Sequence, residues 1–254
     1  EMCIRDRNTT GRTARTIAMK GGGYYSQRTR GAKDVIDNAS GMLVEAADAI
    51  NTPDSGGPIV LADFGAADGG TSESALRKCI EQIRSRFPDN QIQVTYTDLP
   101  SNDFSALFKN LLGVGPQAAR TYLTDIENVF VSACGIGFHR QLLPDASLDI
   151  GFSATAMHYI SEKPCPIENH VHMVGANGET LTAYADQARQ NWNDLLVARA
   201  KELRPGGWLV MLNFGIDEEG RYLGNTGGIN MFDTFADIWG CLLYTSPSPR
   251  DRIA

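Results

Sequence analysis

The hydrophobic and polar positions of this chain follow two alternating periods. Apolar residues recur every three or four positions between residues 32 and 50, which predicts an amphipathic helix. An apolar run with the length of a buried strand follows at residues 59–62 and ends in Asp63. After a glycine-rich turn at residues 65–70, helical spacing continues to about residue 86 and favours an inward face made of Ala75, Leu76, Cys79, Ile80 and Ile83.

The same alternation of strand and helix continues to residue 214. Further strands are expected at residues 91–97, 129–134, 148–154 and 208–214, and further helices at residues 102–112 and 182–203. The inward face of the long helix is expected to consist of Ala185, Ala188, Trp192, Leu195, Leu196 and Leu203. It should end at residues 204–207, which read Arg-Pro-Gly-Gly. Strands that alternate with helices predict an α/β fold with a parallel sheet and right-handed crossovers.

Composition and charge narrow the classes of protein that this chain can belong to. Apolar residues make up 42% of the 254 residues, which is enough for one substantial core. The net charge of −7 disfavours nucleic acid as a partner and suits a protein that binds small molecules. The sequence contains no apolar run of membrane-spanning length and no secretory signal pattern, so we expect no membrane partner.

The cysteines and histidines give little support for a disulfide framework or a metal site. The five cysteines have no C-x-x-C spacing, and their odd number favours reduced thiols in the cytoplasm. Cys165, His170 and His172 form the one arrangement that suggests a metal. Their spacing matches no zinc motif, and prolines at 164 and 166 place them in a loop, so we expect no metal.

The two ends of the chain do not continue the patterns beside them. Residues 2–7 and 241–252 both end in Arg-Asp-Arg and resemble translated adapter sequence. We therefore expect residues 1–7 and 241–254 to be foreign. On this interpretation residues 8–228 form the core domain, and residues 229–240 begin a helical cap.

The glycine turn and the acid after the second strand form the candidate ligand site. In doubly wound α/β sheets, ligands bind beyond the carboxyl ends of the strands, where glycines let them approach the backbone. Asp98 closes the second strand, where a carboxylate can accept hydrogen bonds from both hydroxyls of a ribose. Two plainer interpretations stay open: Asp98 could only begin the turn at Leu99-Pro100, and residues 65–70 could be an ordinary strand–helix connection.

The charge of the turn distinguishes between two nucleotide cofactors. A dinucleotide site requires G-x-G-x-x-G, and the turn from Gly65 to Gly70 lacks the second glycine of that motif. Asp68 also lies where a pyrophosphate would sit, and like charges there are unfavourable. S-adenosylmethionine (SAM) carries a positive sulfonium and a positive amino group, and its adenosine suits Asp98. The sequence therefore predicts SAM as the cofactor.

Five segments resemble successive motifs of the SABATH family, the salicylate, jasmonate and related carboxyl methyltransferases with the caffeine-pathway N-methyltransferases. The segments are Gly21–Tyr25, Leu61–Thr71, Tyr96–Phe104, Val131–Pro144 and Ser153–Ser161, within a resemblance that covers residues 19–239. The resemblance implies a Rossmann-like class I methyltransferase sheet that is mostly parallel. It also implies that the sheet is incomplete on its C-terminal side and that most of the helical cap is missing.

The resemblance also implies roles for individual residues. Asp63 and Gly65 match the residues that flank the methionine end of SAM, and Asp98 and Leu99 match the pair that holds its ribose and adenine. Phe138 would lie against the adenine. The residues that we expect to bind the cofactor are Tyr25, Thr29, Asp63, Gly65, Asp68, Gly69, Thr71, Asp98, Leu99, Gly137 and Phe138.

The acceptor site resembles that of the family less closely. His158 and Tyr159 match a His-Trp pair that lines the acceptor pocket, and we expect these two residues to be catalytic and to bind substrate together with Tyr24. His158 could instead be a packing histidine at a strand end. The departures from the family pattern are Ala32 for glutamine, Thr71 for asparagine, Gly137 for serine and Tyr159 for tryptophan. They leave the identity of the acceptor open.

Several functions fit this set of residues. The resemblance favours methyl transfer to a small-molecule carboxylic acid, with a parent protein that is a homodimer as family members often are. An N- or O-acceptor would need a base, for which His158 is the candidate. A non-catalytic nucleotide-binding module is a further alternative, whereas a short-chain dehydrogenase is disfavoured because the turn from Gly65 to Gly70 lacks the second glycine of the dinucleotide motif. We expect a chain without its cap to bind SAM weakly and to turn over poorly.

Overall fold

The computed structural model describes residues 29–51, 56–114 and 119–245. The helices are α1 (Arg30–Ala49), α2 (Glu73–Arg86), α3 (Phe104–Leu111), α4 (Tyr122–Asp125), α5 (Gly178–Glu202) and α6 (Met231–Thr245), with a 3₁₀ turn at Met173–Gly175. The strands are β1 (Ile59–Phe64), β2 (Ile92–Thr97), β3 (Val129–Cys134), β4 (Leu148–Ala154) and β5 (Leu203–Leu212). The predicted alternation of strands and helices is confirmed.

All five strands form one parallel sheet in the order β3-β2-β1-β4-β5. The strand order therefore changes direction at β1, which lies between β2 and β4. In β1 and β2, Ile59 pairs with Ile92 and Phe64 pairs with Thr97, so the two strands end at the same level. This is the topological switch point at which open α/β sheets bind their ligands.

The alternation of side chains along β1 divides them between the two faces of the sheet. Ile59 and Leu61 belong to the larger core, which also contains the apolar faces of α1 and α2. Ala62 and Phe64 belong to the smaller core, together with Leu195 of α5. Both faces of β1 are therefore buried, as the continuous apolar run at residues 59–62 predicts.

The buried face of α5 differs from the predicted one. Trp192 and Leu196 are 40% and 39% exposed, although both are expected to point inward. The residues that are buried are Tyr184, Asn191, Leu195, Ala198, Arg199 and Glu202. Leu195 is buried as predicted, but the rest of the buried face is displaced from the apolar pattern because two charged residues, Arg199 and Glu202, occupy inward positions as a buried ion pair.

The strand after α5 begins earlier and ends earlier than predicted. The Arg-Pro-Gly-Gly segment at residues 204–207 belongs to β5, where the register with β4 shifts between Leu148 and Ile150. Gly206 adopts a φ of +82°, which accommodates the irregularity. β5 lies at one edge of the sheet, and Trp208 on it is 44% exposed.

The described chain divides into two compact units. The first contains the residues up to His158 and Asp194–Asn213, and it holds the whole sheet. The second contains Tyr159–Asn193 and the residues from Phe214 onward. Within the described ranges, no helix combines the length and the apolar character needed to cross a bilayer. The boundaries predicted for the core, the cap and the foreign ends stay predictions.

Candidate functional site

The turn after β1 requires glycine at its first position. Gly65 has a φ of +81°, and its N–H donates to the carbonyl oxygen of Thr97 at 2.9 Å. A Cβ placed on Gly65 would lie 2.3 Å from the Cβ of Ala156, so a larger residue would also collide with the segment after β4. Ala67 and Gly69 have φ values of +49° and +70°. The turn therefore bends sharply across the end of β2.

Asp98 holds this turn in place from the end of β2. Its Oδ2 accepts a hydrogen bond from the backbone N–H of Ala67 at 2.7 Å, and its Oδ1 accepts one from the N–H of Leu99 at 2.7 Å. Asn102 donates from Nδ2 to the carbonyl oxygen of Ala67 at 2.7 Å. Each oxygen of a carboxylate can accept a second hydrogen bond, so Asp98 is fixed in position and still able to bind a diol.

Asp63 is a buried acid near the carboxyl end of β1, and it binds the residue that precedes α2. It is 2% exposed, and its Oδ2 accepts a hydrogen bond from the hydroxyl of Ser72 at 2.6 Å. Burial raises the pKa of Asp63 to about 7; the Ser72 hydrogen bond lowers this pKa, and the negative charge of Asp98 raises it. Ser72 occupies the N-cap position of α2, but its hydroxyl makes no cap hydrogen bond.

The two acids have no basic partner within the described residues. The ion pairs there include neither Asp63 nor Asp98. Burial also raises the pKa of Asp98, although hydrogen bonds from the backbone of Leu99 and Ala67 oppose this effect. Burial makes the ionised form of both acids costly, and the charge of Asp98 adds to this cost for Asp63, so a positively charged ligand is favoured over an anionic one.

The loop after β3 brings Gly137 and Phe138 to these residues. A Cβ placed on Gly137 would lie 3.4 Å from Cδ2 of Leu99, so backbone and side chain are in contact. Cε1 of Phe138 lies 3.8 Å from the position of a Cβ on Gly65. The structure therefore brings together, around the ends of β1 and β2, four predicted residues that are far apart in sequence.

The remaining predicted residues of the turn are buried beside it. Asp68 is 6% exposed and accepts a hydrogen bond from the N–H of Gly70 at 3.2 Å. Thr71 is 5% exposed. Gly69 packs against Leu107, whose Cγ lies 3.4 Å from the position of a Cβ. These residues are therefore part of the packed interior of the turn.

The start of α1 lies beside the start of α2. Lys33 donates from Nζ to Oγ of Ser74 at 3.0 Å, and its backbone N–H donates to the carbonyl oxygen of Thr29 at 3.1 Å. Thr29 is half-buried. It therefore precedes a helix that is anchored next to the helix after the glycine turn, while Tyr24 and Tyr25 lie outside the described residues.

The two predicted acceptor residues differ in exposure. His158 follows β4 in the first unit and is half-buried, and burial lowers its pKa below the usual range. Tyr159 belongs to the second unit and is 57% exposed. A histidine with a lowered pKa is neutral near pH 7, so it can accept a proton.

The histidines near Cys165 bind to protein groups within the second unit. His170 lies with Nε2 3.2 Å from Oδ1 of Asp233, and its Nδ1 accepts a hydrogen bond from the N–H of His172 at 3.0 Å. The ring of His172 stacks on Phe232 with centroids 3.8 Å apart. The described residues include no group of three or more His, Cys, Asp or Glu side chains arranged for a metal ion.

Two charged residues that contact the loop of Phe138 are missed by the sequence analysis. Arg199 donates to the carbonyl oxygen of Phe138, and Glu202 accepts hydrogen bonds from the loop backbone. In the sequence they are an ordinary i, i+3 pair on a long helix, which is typical of a solvated face. In the sequence, the one sign of their role is that they interrupt the apolar face of the helix, and this sign can be interpreted only once the fold is known.

Known proteins that resemble this chain are methyltransferases. A family model described as SAM dependent carboxyl methyltransferase matches residues 14–245. Farnesoic acid carboxyl-O-methyltransferase of Arabidopsis thaliana is 29% identical over 166 residues, which are 60% of this chain and 44% of that protein. Loganic acid O-methyltransferase of Catharanthus roseus is 27% identical over 215 residues, which are 76% of this chain and 55% of that protein. The chain spans about half the length of these two relatives.

A solved structure has the same fold. It is described as loganic acid methyltransferase with SAH, and it superposes with a TM-score of 0.74 over 90% of this chain and 67% of that chain, at 22% identity. The family match covers all the predicted cofactor-binding positions, from Tyr25 to Phe138. The predicted resemblance is confirmed: this chain belongs to the SABATH family of SAM-dependent carboxyl methyltransferases.

Proposed function

We propose that the protein containing this chain transfers a methyl group from SAM to a small-molecule carboxylic acid and so forms a methyl ester. The observation that carries the proposal is the pair of acids at the ends of adjacent parallel strands. Asp98 lies close enough to Asp63 for its negative charge to raise the pKa of Asp63, and neither acid has a basic partner among the described residues. A ligand with a sulfonium and an ammonium group supplies the missing positive charge.

The residues around this pair fit the adenosine of the cofactor. Asp98 keeps a free lone pair on each carboxylate oxygen, which suits the two hydroxyls of a ribose. Leu99 and Phe138 are half-buried apolar side chains that we assign to the adenine, in the crevice beyond the carboxyl ends of β1 and β2 where open α/β sheets bind their ligands. Asp63, with Gly65 beside it, is assigned to the methionine end, where its carboxylate would face the ammonium group.

Other contacts are assigned by the family resemblance alone. For the cofactor these are Tyr25, Thr29, Asp68, Gly69, Thr71 and Gly137. For the acceptor these are Tyr24, His158 and Tyr159, of which His158 and Tyr159 would orient a carboxylate oxygen towards the methyl group. Support for this part of the proposal comes from the family match over residues 14–245.

Methyl transfer to a carboxylate requires the protein mainly to position the two reactants. When bound, SAM supplies an activated methyl group on its sulfonium. A carboxylic acid is already ionised near neutral pH, so no general base is needed. The protein's residues then contribute by orienting the carboxylate and excluding water, and such positioning can provide up to about 7–11 kcal/mol of barrier reduction.

Two alternatives predict different outcomes. An N- or O-methyl acceptor requires a base, and the lowered pKa of His158 makes it able to accept a proton at neutral pH. A non-catalytic nucleotide-binding module is consistent with Ala32 in place of a carboxylate-binding glutamine. The relatives' names, farnesoic acid carboxyl-O-methyltransferase and loganic acid O-methyltransferase, favour a carboxylic acid as acceptor.

Calorimetry and a methyl-transfer screen test the proposal together. Titration of the chain with SAM, S-adenosylhomocysteine (SAH) and NAD should show binding of the first two only. The full-length protein should then methylate members of a panel of aromatic and aliphatic acids, and their methyl esters should not be substrates. Binding of NAD but not SAH would exclude the cofactor assignment, and SAH binding without turnover of any acid, amine or phenol would favour a binding module.

The proposal also covers the cellular location and the partners of the protein. Cys79, Cys134 and Cys165 are free thiols, as expected in a reducing compartment, and we assign the protein to the cytoplasm. We also assign a homodimeric parent protein with no nucleic-acid or membrane partner. Cell fractionation tests the location of the full-length protein, and sedimentation tests its oligomeric state.

A further inference from the structure

The loop that carries Phe138 has no regular secondary structure of its own. It connects β3 to β4 through residues 135–147, and because these strands are parallel it must cross one face of the sheet from the carboxyl to the amino ends. Phe138, Leu142 and Leu143 pack against the smaller core. Backbone groups of such a buried loop need hydrogen-bond partners that a strand or helix would otherwise supply.

Arg199 and Glu202 of α5 supply those partners. Arg199 donates from Nη1 to the carbonyl oxygen of Phe138 at 2.8 Å and from Nη2 to that of Arg140 at 2.9 Å. Oε1 of Glu202 accepts hydrogen bonds from the N–H groups of Leu142 and Leu143, the latter at 3.1 Å. Four backbone groups within six residues of loop are therefore bound by one ion pair.

The pair itself is completely buried and fixed on both sides. Arg199 and Glu202 are 1% and 0% exposed, and they form two hydrogen bonds of 2.7 Å with each other, from Nε to Oε2 and from Nη2 to Oε1. The guanidinium also lies over the ring of Phe64, 4.3 Å from its centroid. Phe64 is the last residue of β1 and precedes Gly65, so the pair contacts both the loop and the strand that leads into the glycine turn.

A buried ion pair is poor evidence for a role in stability alone. Removing two charges from water costs several kcal/mol per ion, and apolar residues of similar volume often stabilise a fold equally well. The fork of Arg199 instead fixes the loop in one conformation, since its planar donors meet two carbonyl oxygens and a carboxylate at once. Conformational precision is needed where Phe138 lies next to Gly65.

We propose that Arg199 and Glu202 are positioning residues for the cofactor: they hold the loop so that Phe138 faces the adenine from the Gly65 side. This inference rests on the proposed function, because it assumes that the crevice holds the adenosine of SAM. Neither residue reaches the crevice itself. Their effect on binding passes through the backbone of residues 138–143.

A double-mutant cycle with Phe138 tests the proposal in the 254-residue chain, with SAH binding as the readout. Arg199→Lys keeps the charge but loses the fork, and Arg199→Lys and Phe138→Ala should each weaken SAH binding by about tenfold. The combined variant should be no weaker than the weaker single variant, whereas independent effects would multiply to about a hundredfold. Multiplying effects would overturn the proposal.

A matched control separates positioning from general destabilisation. Arg204 forms an ion pair with Asp149 at the amino ends of β4 and β5, with Nη1 3.1 and 3.0 Å from the two carboxylate oxygens. It contacts the loop at Ala146, outside residues 138–143, where Nε donates to the carbonyl oxygen at 3.3 Å. Arg204→Lys should lower the unfolding temperature while leaving SAH affinity unchanged. If it weakens SAH binding as much as Arg199→Lys does, Arg199 acts only through stability and the proposal is wrong.

A second variant covers the case in which Arg199→Lys fails to fold. Arg199→Met combined with Glu202→Leu removes both charges, and such replacements of buried pairs can preserve a fold. In hydrogen exchange without ligand, the amides of Leu142 and Leu143 should lose protection while those of β2 keep theirs. Unchanged protection of the two loop amides would overturn the proposal, and failure of the unmodified chain to bind SAH would instead count against the proposed function.

Discussion

The carboxylate of Asp98 accepts a hydrogen bond from the backbone N–H of Ala67 at 2.7 Å, so the acid that ends β2 holds the turn that follows β1. Asn102 donates a hydrogen bond to the carbonyl oxygen of Ala67. Asp103 accepts a hydrogen bond from the N–H of Ala106 and caps α3. Residues 98–104, which read Asp-Leu-Pro-Ser-Asn-Asp-Phe, therefore form a structural unit that holds the glycine turn in place without a ligand.

Asp98→Asn should weaken the binding of SAH by about 1.5–3 kcal/mol, because a hydrogen bond to a charged acceptor is lost. Isothermal titration calorimetry measures the difference. Asp89→Asn, at an exposed position in the turn before β2, is the control and should bind as the unmodified chain does. Equal affinities for Asp98→Asn and the control would remove Asp98 from the cofactor site.

Asp63→Asn should make the ligand-free chain more stable, and increasingly so as the pH rises. The raised folded pKa of about 7 means that the proton on Asp63 stabilises the fold fully below the unfolded pKa of about 4, and that this contribution is lost as the pH rises through about 7. Asparagine carries no such charge at any pH. Urea unfolding at about pH 5 and about pH 8.5 should show a larger gain at the higher pH.

The hydroxyl of Ser72 provides a companion test for Asp63. Ser72→Ala removes the hydrogen bond that lowers the pKa of Asp63. The pKa of Asp63 should therefore be higher in the variant than in the unmodified chain, and the loss of stability should continue to a higher pH. NMR titration of the Asp63 carboxyl carbon measures this pKa as its titration midpoint. A midpoint that stays in place or moves downward would contradict the assigned hydrogen bond.

Gly65→Ala should destabilise the fold by roughly 2–4 kcal/mol, as a left-handed backbone conformation and an overpacked contact each add a cost. The contact is the one with the Cβ of Ala156 at 2.3 Å. Gly41→Ala, at an exposed position in α1 with no neighbour within 4 Å of a new Cβ, should instead stabilise by roughly 0.5–1 kcal/mol. Denaturant unfolding compares the two, and a tolerated Gly65→Ala would show that the turn can rearrange.

Tyr96→Phe should destabilise the fold by about 1–3 kcal/mol, because it leaves a buried hydroxyl without its partner. The hydroxyls of Tyr96 and Tyr122 are 2.7 Å apart, and both side chains are 0% exposed. The double variant Tyr96→Phe with Tyr122→Phe removes both groups and should cost less than the sum of the two single changes. Additive costs in denaturant unfolding would mean that the two hydroxyls do not depend on each other.

The candidate site could be predicted in part because its residues follow regular patterns. Asp63 follows an apolar run of strand length, and Asp98 follows the alternating polar and apolar residues at 91–97, so the sequence indicates that both lie at the carboxyl edge of one parallel sheet. Gly137 and Phe138 follow another strand but lie in an irregular loop. Their position against Leu99 and Gly65 follows from packing, and the resemblance to known motifs supplied their roles.

The amino-acid sequence by itself determined the order of strands and helices, the parallel α/β fold and the acids at the strand ends, because hydrophobic periodicity and turn chemistry are local properties. The tertiary structure alone decided which face of α5 is buried, because Arg199 and Glu202 are inward charges that periodicity assigns to solvent. It also decided that residues 204–207 join β5 as an irregular segment, since pairing with β4 compensates for the proline and glycines. Long-range hydrogen bonds and packing govern these features, and no window of neighbouring residues contains them.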